Sequence, residues 1–426
     1  MTDSHYRPSL QTALLAAAAL VLAVGATAIA QEAPPAPRPH IERGLLPEPV
    51  FLTTAFDFAG RYGGGRATAD RSDGLYLAMG DLYPGAGWLS GGGGYRHYIM
   101  NDRAILEGLG VVSSRAYKLA QGRFELPLLM AGHLSVGTKV TWQDLMQVNY
   151  FGTGSDSVES DRSEYRIKTT DLVGYANYRP VRWLAVGGRV GMMDNPTVSS
   201  PAGPFDRGYP DARVVFFEEP GFGLERQPSF FHGDLSVAAD TRDYPSHPLS
   251  GGLYRAAWTL FSDRTRDRYT FRRYEAEAFH ALPIVAERIT VLAHAWTVAS
   301  DAGADRQVPV YMLPSLGGSS TLRSFSDFRF HDRQMLVASI ESRFALLTHV
   351  DAAVFVDAGN VASRYGDLDL AKRSYGVGLR LHTHEATTAR LDVANGDEGW
   401  RLTFSLNDPF RFRRLSRAAT AVPLVP

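Results

Sequence analysis

Arg401-Leu402-Thr403-Phe404-Ser405-Leu406-Asn407 alternates without a break. In an extended chain Leu402, Phe404 and Leu406 share one face, and Arg401, Thr403, Ser405 and Asn407 share the other. A helix would mix the two sets, so the period of two reads as a strand. Ser374 to His382 repeats it, with Tyr375, Val377, Leu379 and Leu381 against Gly376, Gly378, Arg380 and His382. Ala389, Leu391 and Val393 oppose Arg390 and Asp392, while Tyr274, Ala276 and Ala278 oppose Arg273, Glu275 and Glu277. The polar faces carry small residues and charges of both signs; the other faces carry aliphatics and aromatics. Strands with lipid on one side and a wet lumen on the other have this composition. A soluble sandwich also alternates, but an uninterrupted run from Gly74 to Phe410 is too long for one.

Fifteen such segments begin between Gly87 and Trp400. One more must precede them, at Gly74–Gly80 or Val50–Phe58, because bacterial barrels close with an even number. The fold class that follows is all-β: a single transmembrane antiparallel β-barrel of about 16 strands. Tight turns at Arg96–Arg103 and Asn395-Gly396-Asp397 contrast with long connections at Gln143–Ser163, Asp194–Ser229 and Ser300–Arg333, which belong outside the cell. The six tryptophans, Trp88, Trp142, Trp183, Trp258, Trp296 and Trp400, fall in or near strands, and some of them are expected in the interfacial girdle.

The net charge of −1 gives no pointer to nucleic acid, and the absence of cysteine excludes disulfides and thiolate metal sites. A helical membrane protein needs several apolar runs of about 20 residues; one run is present, Ala13 to Ala26, after Arg7 and before Ala28-Ile29-Ala30. That order is a secretory signal with a small-x-small cleavage site. The expected organisation is therefore a signal peptide over 1–30, a Pro-rich periplasmic linker over 31–49, the barrel over 50–410 with Phe410 as its terminal aromatic, and a basic tail over 411–426. No room is left for a periplasmic globular domain ahead of the barrel.

The stretch Leu316-Gly317-Gly318-Ser319-Ser320-Thr321-Leu322-Arg323-Ser324-Phe325 resembles the Gly-Gly…Arg-Gly-Phe/Tyr signature of the BamA/TamA-type bacterial surface antigen family, within the outer membrane protein 85 superfamily. Phe355-Val356-Asp357-Ala358-Gly359 is similar to the family's Phe-x-Asp-x-Gly strand. Asp240-Thr241-Arg242-Asp243-Tyr244-Pro245, with Pro248 and Gly251-Gly252, resembles its Asp-x-Arg-Asp…Pro…Gly turn, and Tyr375–Arg380 and Leu391–Ala394 fit its last strands. The four pieces stand in family order over residues 235–410. The resemblance implies that the Arg323 loop joins strands 11 and 12, folds back into the barrel and meets an acid there. Asp357 is the implied partner, since it faces the lumen if Val354 and Val356 face lipid; Glu341 is a second candidate. The chain departs from the family in having Ser324 where a glycine is usual, and in leaving no space for POTRA domains.

The resemblance also implies localisation in the outer membrane, and the insertion or translocation of an unfolded outer-membrane or secreted polypeptide, or of lipid, with a separate periplasmic partner in place of the missing domains. The alternative is a passive pore or structural barrel that has lost client handling. No enzyme is expected, since no Ser-His-acid set has a recognisable context, and no cofactor. His382 and His384 share a strand face but offer only two donors, too few for a metal centre. Gly91–Gly94 lacks the lysine and helix of a phosphate loop and reads as a bend or a close approach of neighbouring groups. Gly152-Thr153-Gly154-Ser155 reads as a loop, and Asp367 and Asp369 as a solvated turn.

Overall fold

The computed structural model describes residues 44–50, 54, 73–80, 85–87, 89–204, 207–285, 288–383, 386–406, 409 and 410. The expected signal peptide over 1–30, most of the expected linker over 31–49, Trp88, His384 and the expected tail over 411–426 lie outside the described residues.

Sixteen strands follow one another as antiparallel neighbours in chain order. They are β1 (Gly74–Gly80), β2 (Ser90–Ile99), β3 (Ala104–Ser113), β4 (Lys118–Leu129), β5 (Leu134–Tyr150), β6 (Ser163–Val181), β7 (Leu184–Ser199), β8 (Phe230–Asp240), β9 (Gly251–Asp263), β10 (Phe271–Val285), β11 (Ile289–Asp301), β14 (Gln334–Ala345), β15 (Val350–Ala362), β16 (Lys372–His382), β17 (Thr387–Gly396) and β18 (Gly399–Ser405). A two-stranded hairpin, β12 (Ser315–Leu316) and β13 (Phe330–His331), lies within the β11–β14 connection. That connection therefore joins the eleventh and twelfth barrel strands. Of the two sites considered for the first strand, the structure uses Gly74–Gly80.

Residues far apart in strand order meet on one side of the sheet, which shows that it is curled into a barrel. The β8–β9 turn touches the β16–β17 turn through Ser246 and Ala386. The β11–β14 loop reaches Asn149 at the end of β5 and Arg390 on β17. The alternation explains the curl: Val354, Val356, Tyr375, Val377, Leu379 and Leu402 are exposed on the outside, whereas Asp357, Ser374, Arg380, Arg390 and Asp392 are buried inside. Buried charge and exposed hydrocarbon invert a soluble protein, as expected when the outer solvent is lipid.

Strands β5, β6 and β7 run for 17, 19 and 16 residues. About 9–11 suffice to cross a bilayer, so these strands project beyond it, and the long connections shrink to 151–162, 200–229 and 302–333. Periodicity misses these extensions because above the membrane both faces become buried: Leu145, Met146, Gln147, Val148, Asn149 and Tyr150 are all buried. Leu145, Met146, Val148 and Tyr150 pack with Tyr165, Phe222, Phe230, Tyr311 and Met312 into an extracellular cap. A four-residue helix, α1 (Ala212–Val215), capped by the Asp211 side chain, lies in the β7–β8 loop.

One local expectation needs correction. Phe410 does not end the last strand: β18 stops at Ser405, and Phe410 turns inward to pack on Leu253, Phe279 and Leu292 of β9–β11. Its ring finds more apolar surface in the periplasmic mouth than a frayed strand end would give it. Trp296 does not belong to a girdle, because it packs on the lumen cluster and its indole N–H donates to Glu275 (3.2 Å). The glycine run on β2 is the close approach expected of it: a Cβ on Gly94 would lie 2.3 Å from the Tyr76 ring.

Candidate functional site: a loop held in the lumen

The β11–β14 loop enters the barrel on two glycines. Gly317 and Gly318 have φ of 116° and 88°, and a Cβ on either would lie 2.2 Å from Ser326 O or Asp327 Oδ1. Only glycine fits both the backbone and the space. Gly318 N–H donates to Phe325 O (3.1 Å), closing the tip, and Thr321 Oγ1 bonds both backbone groups of Gly317. Leu316, Leu322, Phe325 and Phe330 then bury against Val298, Met335, Val337 and Val361 on the barrel wall. Gly359 makes room, since a Cβ there would meet Leu336 O at 2.5 Å and Leu316 at 3.2 Å.

The tip carries Arg323, which is 1% exposed. Its guanidinium forks onto Asp357, Nε to Oδ2 at 2.9 Å and a terminal nitrogen to Oδ1 at 2.7 Å. Its other terminal nitrogen donates to Glu341 Oε2 at 2.5 Å, and its backbone N–H reaches Asp357 Oδ2 at 3.3 Å. The guanidinium carbon lies over the Phe355 ring, 3.5 Å from its centroid. Planar forked donors and a stackable face are what arginine offers and lysine lacks. Register supplies the floor: Glu341, Phe355 and Gly376 are direct neighbours across β14, β15 and β16. Gly376 clears the ring, as a Cβ there would lie 2.7 Å from Phe355 Cζ.

The charges continue along the wall. Arg380 donates to Glu341 (2.8 and 3.1 Å) and to Asp392 (2.5 Å); Arg390 donates to Asp392 (2.7 Å) and to Ser319 O of the loop (2.6 Å); Arg343 donates to Glu341 (2.8 Å). Four guanidinia and three carboxylates are thus removed from bulk water together. In such a medium each unmatched charge is expensive, so the members fix one another's positions. Arg329 ties the base of the loop to Glu398 and to Ser157, stacking on Phe151 and Phe330.

Both acids singled out in the sequence bond Arg323 at the same time. The roles of Arg329, Arg380, Arg390 and Asp392 are invisible in the sequence, where they are ordinary lumen-face charges. Alternation marks their direction only. Ser324 takes an unstrained backbone, outside the positive-φ set, and its N–H donates to Ser374 Oγ (2.8 Å). The usual glycine is therefore not required by the backbone at this position.

The turn residues form a separate unit at the periplasmic end. Arg242 forks onto Asp240 (2.7 and 2.8 Å), and Asp243 accepts from the backbone of Tyr244, Leu249 and Ser250. Pro248 is buried, and Gly251, at φ 83°, lets the chain return to β9 where a Cβ would lie 2.2 Å from Thr241 O.

A strand-only, lipid-facing barrel with a polar lumen and an inward loop defines an outer-membrane β-barrel protein. Residues 210–410 match the Omp85 superfamily domain. BamA from Haemophilus ducreyi lacking POTRA domains 1–3 superposes with a TM-score of 0.59 at 14% identity, covering 78% of this chain and 69% of that one. CdiB from Acinetobacter baumannii and CdiB from Escherichia coli give TM-scores of 0.47 and 0.48 at 13% identity, with 78% of this chain covered in each case and 58% and 61% of theirs. The first of these likenesses is one of fold. No curated protein matches the sequence.

Proposed function

We propose that the protein inserts polypeptides into the outer membrane or passes them across it, and does so without enzymatic chemistry. The observation that carries this reading is the buried Arg323–Asp357–Glu341 lock, which holds the loop tip against the lumen wall. A passive pore would need the volume the loop takes for solute. The working edge would be the seam between the terminal strands. β1 and β18 stand at the two ends of the strand order and, among the described residues, are the shortest barrel strands, at seven residues each. A short, weakly held edge can template an incoming strand through its backbone hydrogen bonds. Export through a cleaved 1–30 segment and cooperation with a separate periplasmic partner belong to the same reading.

The test is the refolded protein in liposomes, timing the insertion of an unfolded outer-membrane barrel against empty liposomes. Clear acceleration supports insertion by the barrel itself. Correct folding with no acceleration, and a solute-permeable liposome instead, would replace this reading with the pore.

A further inference from the structure

Three periplasmic connections meet at one buried point. The β8–β9 turn reaches across the mouth, and Thr387 N–H donates to Ser246 O (3.0 Å). The β14–β15 turn joins through His382 N–H to His349 O (3.0 Å). Inside this junction lie His247 from the first turn, Asp351 at the start of β15 and His382 at the end of β16, all at most 2% exposed. They lie 104 and 31 residues apart in sequence, so only the curled sheet brings them together.

His382 Nε2 is 3.2 Å from Asp351 Oδ1, and His247 Nε2 is 3.5 Å from Asp351 Oδ2. The two imidazoles stack with centroids 4.0 Å apart and planes 12° from parallel. The second nitrogens are also engaged: His382 Nδ1 is 3.0 Å from Thr383 O, and His247 Nδ1 is 3.0 Å from Thr387 Oγ1. A carbonyl only accepts, so His382 Nδ1 bears a hydrogen, which leaves Nε2 as the nitrogen that faces the carboxylate and is placed to ligate. A nitrogen and a carboxylate oxygen at that distance share a positive centre, either a proton or a metal ion. Metal-bound histidines have this outer arrangement, with the remote N–H fixed on a carbonyl and the near nitrogen free to ligate.

We propose that His247, Asp351 and His382 form a binding site for a divalent transition-metal ion of the zinc class. Zinc with ligands at about 2.0–2.1 Å in a tetrahedron sets its donor atoms about 3.3 Å apart. Each histidine nitrogen lies about that far from one oxygen of Asp351, His382 from Oδ1 and His247 from Oδ2, and one donor atom from each residue lies within 4.8 Å of the other two. Two imidazoles and a carboxylate suit zinc better than calcium or magnesium, which prefer all-oxygen sets. The fourth position falls to water. One ion would staple the β8–β9, β14–β15 and β16–β17 connections, fixing the Asp240–Gly251 turn over the periplasmic mouth. His349 is close but turned away, its Nδ1 on Glu48 (2.8 Å).

The experiment uses the refolded full chain in detergent micelles, stripped with chelator and titrated with Zn²⁺ alone by calorimetry. The expected result is one equivalent per chain, weakened roughly tenfold or more in His247→Gln and in His382→Gln and unchanged in His349→Gln. A second readout needs no variant: Co²⁺ added to the wild-type chain should give the intense visible bands of a tetrahedral site. No stoichiometric Zn²⁺ binding, equal binding in all three variants, or only the pale spectrum of octahedral Co²⁺ would each overturn the proposal.

Discussion

Arg323→Ala removes a guanidinium that forks onto Asp357, reaches Glu341 and covers Phe355. The cost falls unevenly on the two acids. Glu341 keeps Arg380 and Arg343, whereas the bonds to the Asp357 carboxylate all come from Arg323 among the described residues. Stranding a buried carboxylate in this way costs about 3–5 kcal/mol. At about 1.4 kcal/mol per tenfold, the docked loop should open between a hundred and a few thousand times more often. The barrel ladder is untouched, so the change should be local. The assay pairs hydrogen exchange of amides 316–330 with heat-modifiability on semi-native gels. Exchange should accelerate while the barrel band persists. Arg323→Ala combined with Asp357→Ala removes the stranded charge and should open the loop less than Arg323→Ala alone. If exchange in Arg323→Ala matches the wild type, or the double variant is worse by the sum of the two singles, the lock does not hold the loop.

Further outcomes follow from the same geometry. Gly376→Ala puts a methyl 2.2 Å from Val393 O and 2.7 Å from the Phe355 ring; it should cost about 1–3 kcal/mol in urea unfolding and loosen the loop, and an unchanged midpoint would refute the close packing. Ser324→Gly should stay within about 1 kcal/mol of wild type, since the serine backbone is unstrained and its N–H bond to Ser374 survives; a larger loss would mean its side chain holds the tip. His331, in the extracellular cap, is held neutral by burial and by neighbouring Arg329, its pKa pushed down to about 3. The unfolded chain takes up that proton below its ordinary value of about 6.5, so stability falls as pH drops from there towards 3, by about 1.4 kcal/mol per unit. Unfolding midpoints measured in acid should fall less steeply in His331→Phe than in the wild type; parallel slopes would discount the histidine.

Much of this was legible from residue order alone, and the reasons are local. A period of two is a property of each strand, so Leu402 against Thr403, or Val356 against Asp357, reveals both the strand and its two environments. Lipid outside makes the pattern sharper than in a soluble sheet, and an antiparallel meander needs no long-range choice to order its strands. Gly317, Gly318 and Gly359 are likewise marked by chemistry that a side chain would block. Tertiary structure decided everything that depends on which points of the curled sheet face one another across the lumen. Arg380 and Arg390 looked like any wall charge until the loop tip arrived between them. Phe410 looked like a strand end until β9–β11 offered it a buried surface. His382 looked like half of a two-histidine pair until a turn starting from β8 brought His247 to its face. Alternation fixes the direction of a side chain relative to its own strand; the distance to a residue a hundred positions away is set only when the sheet curls.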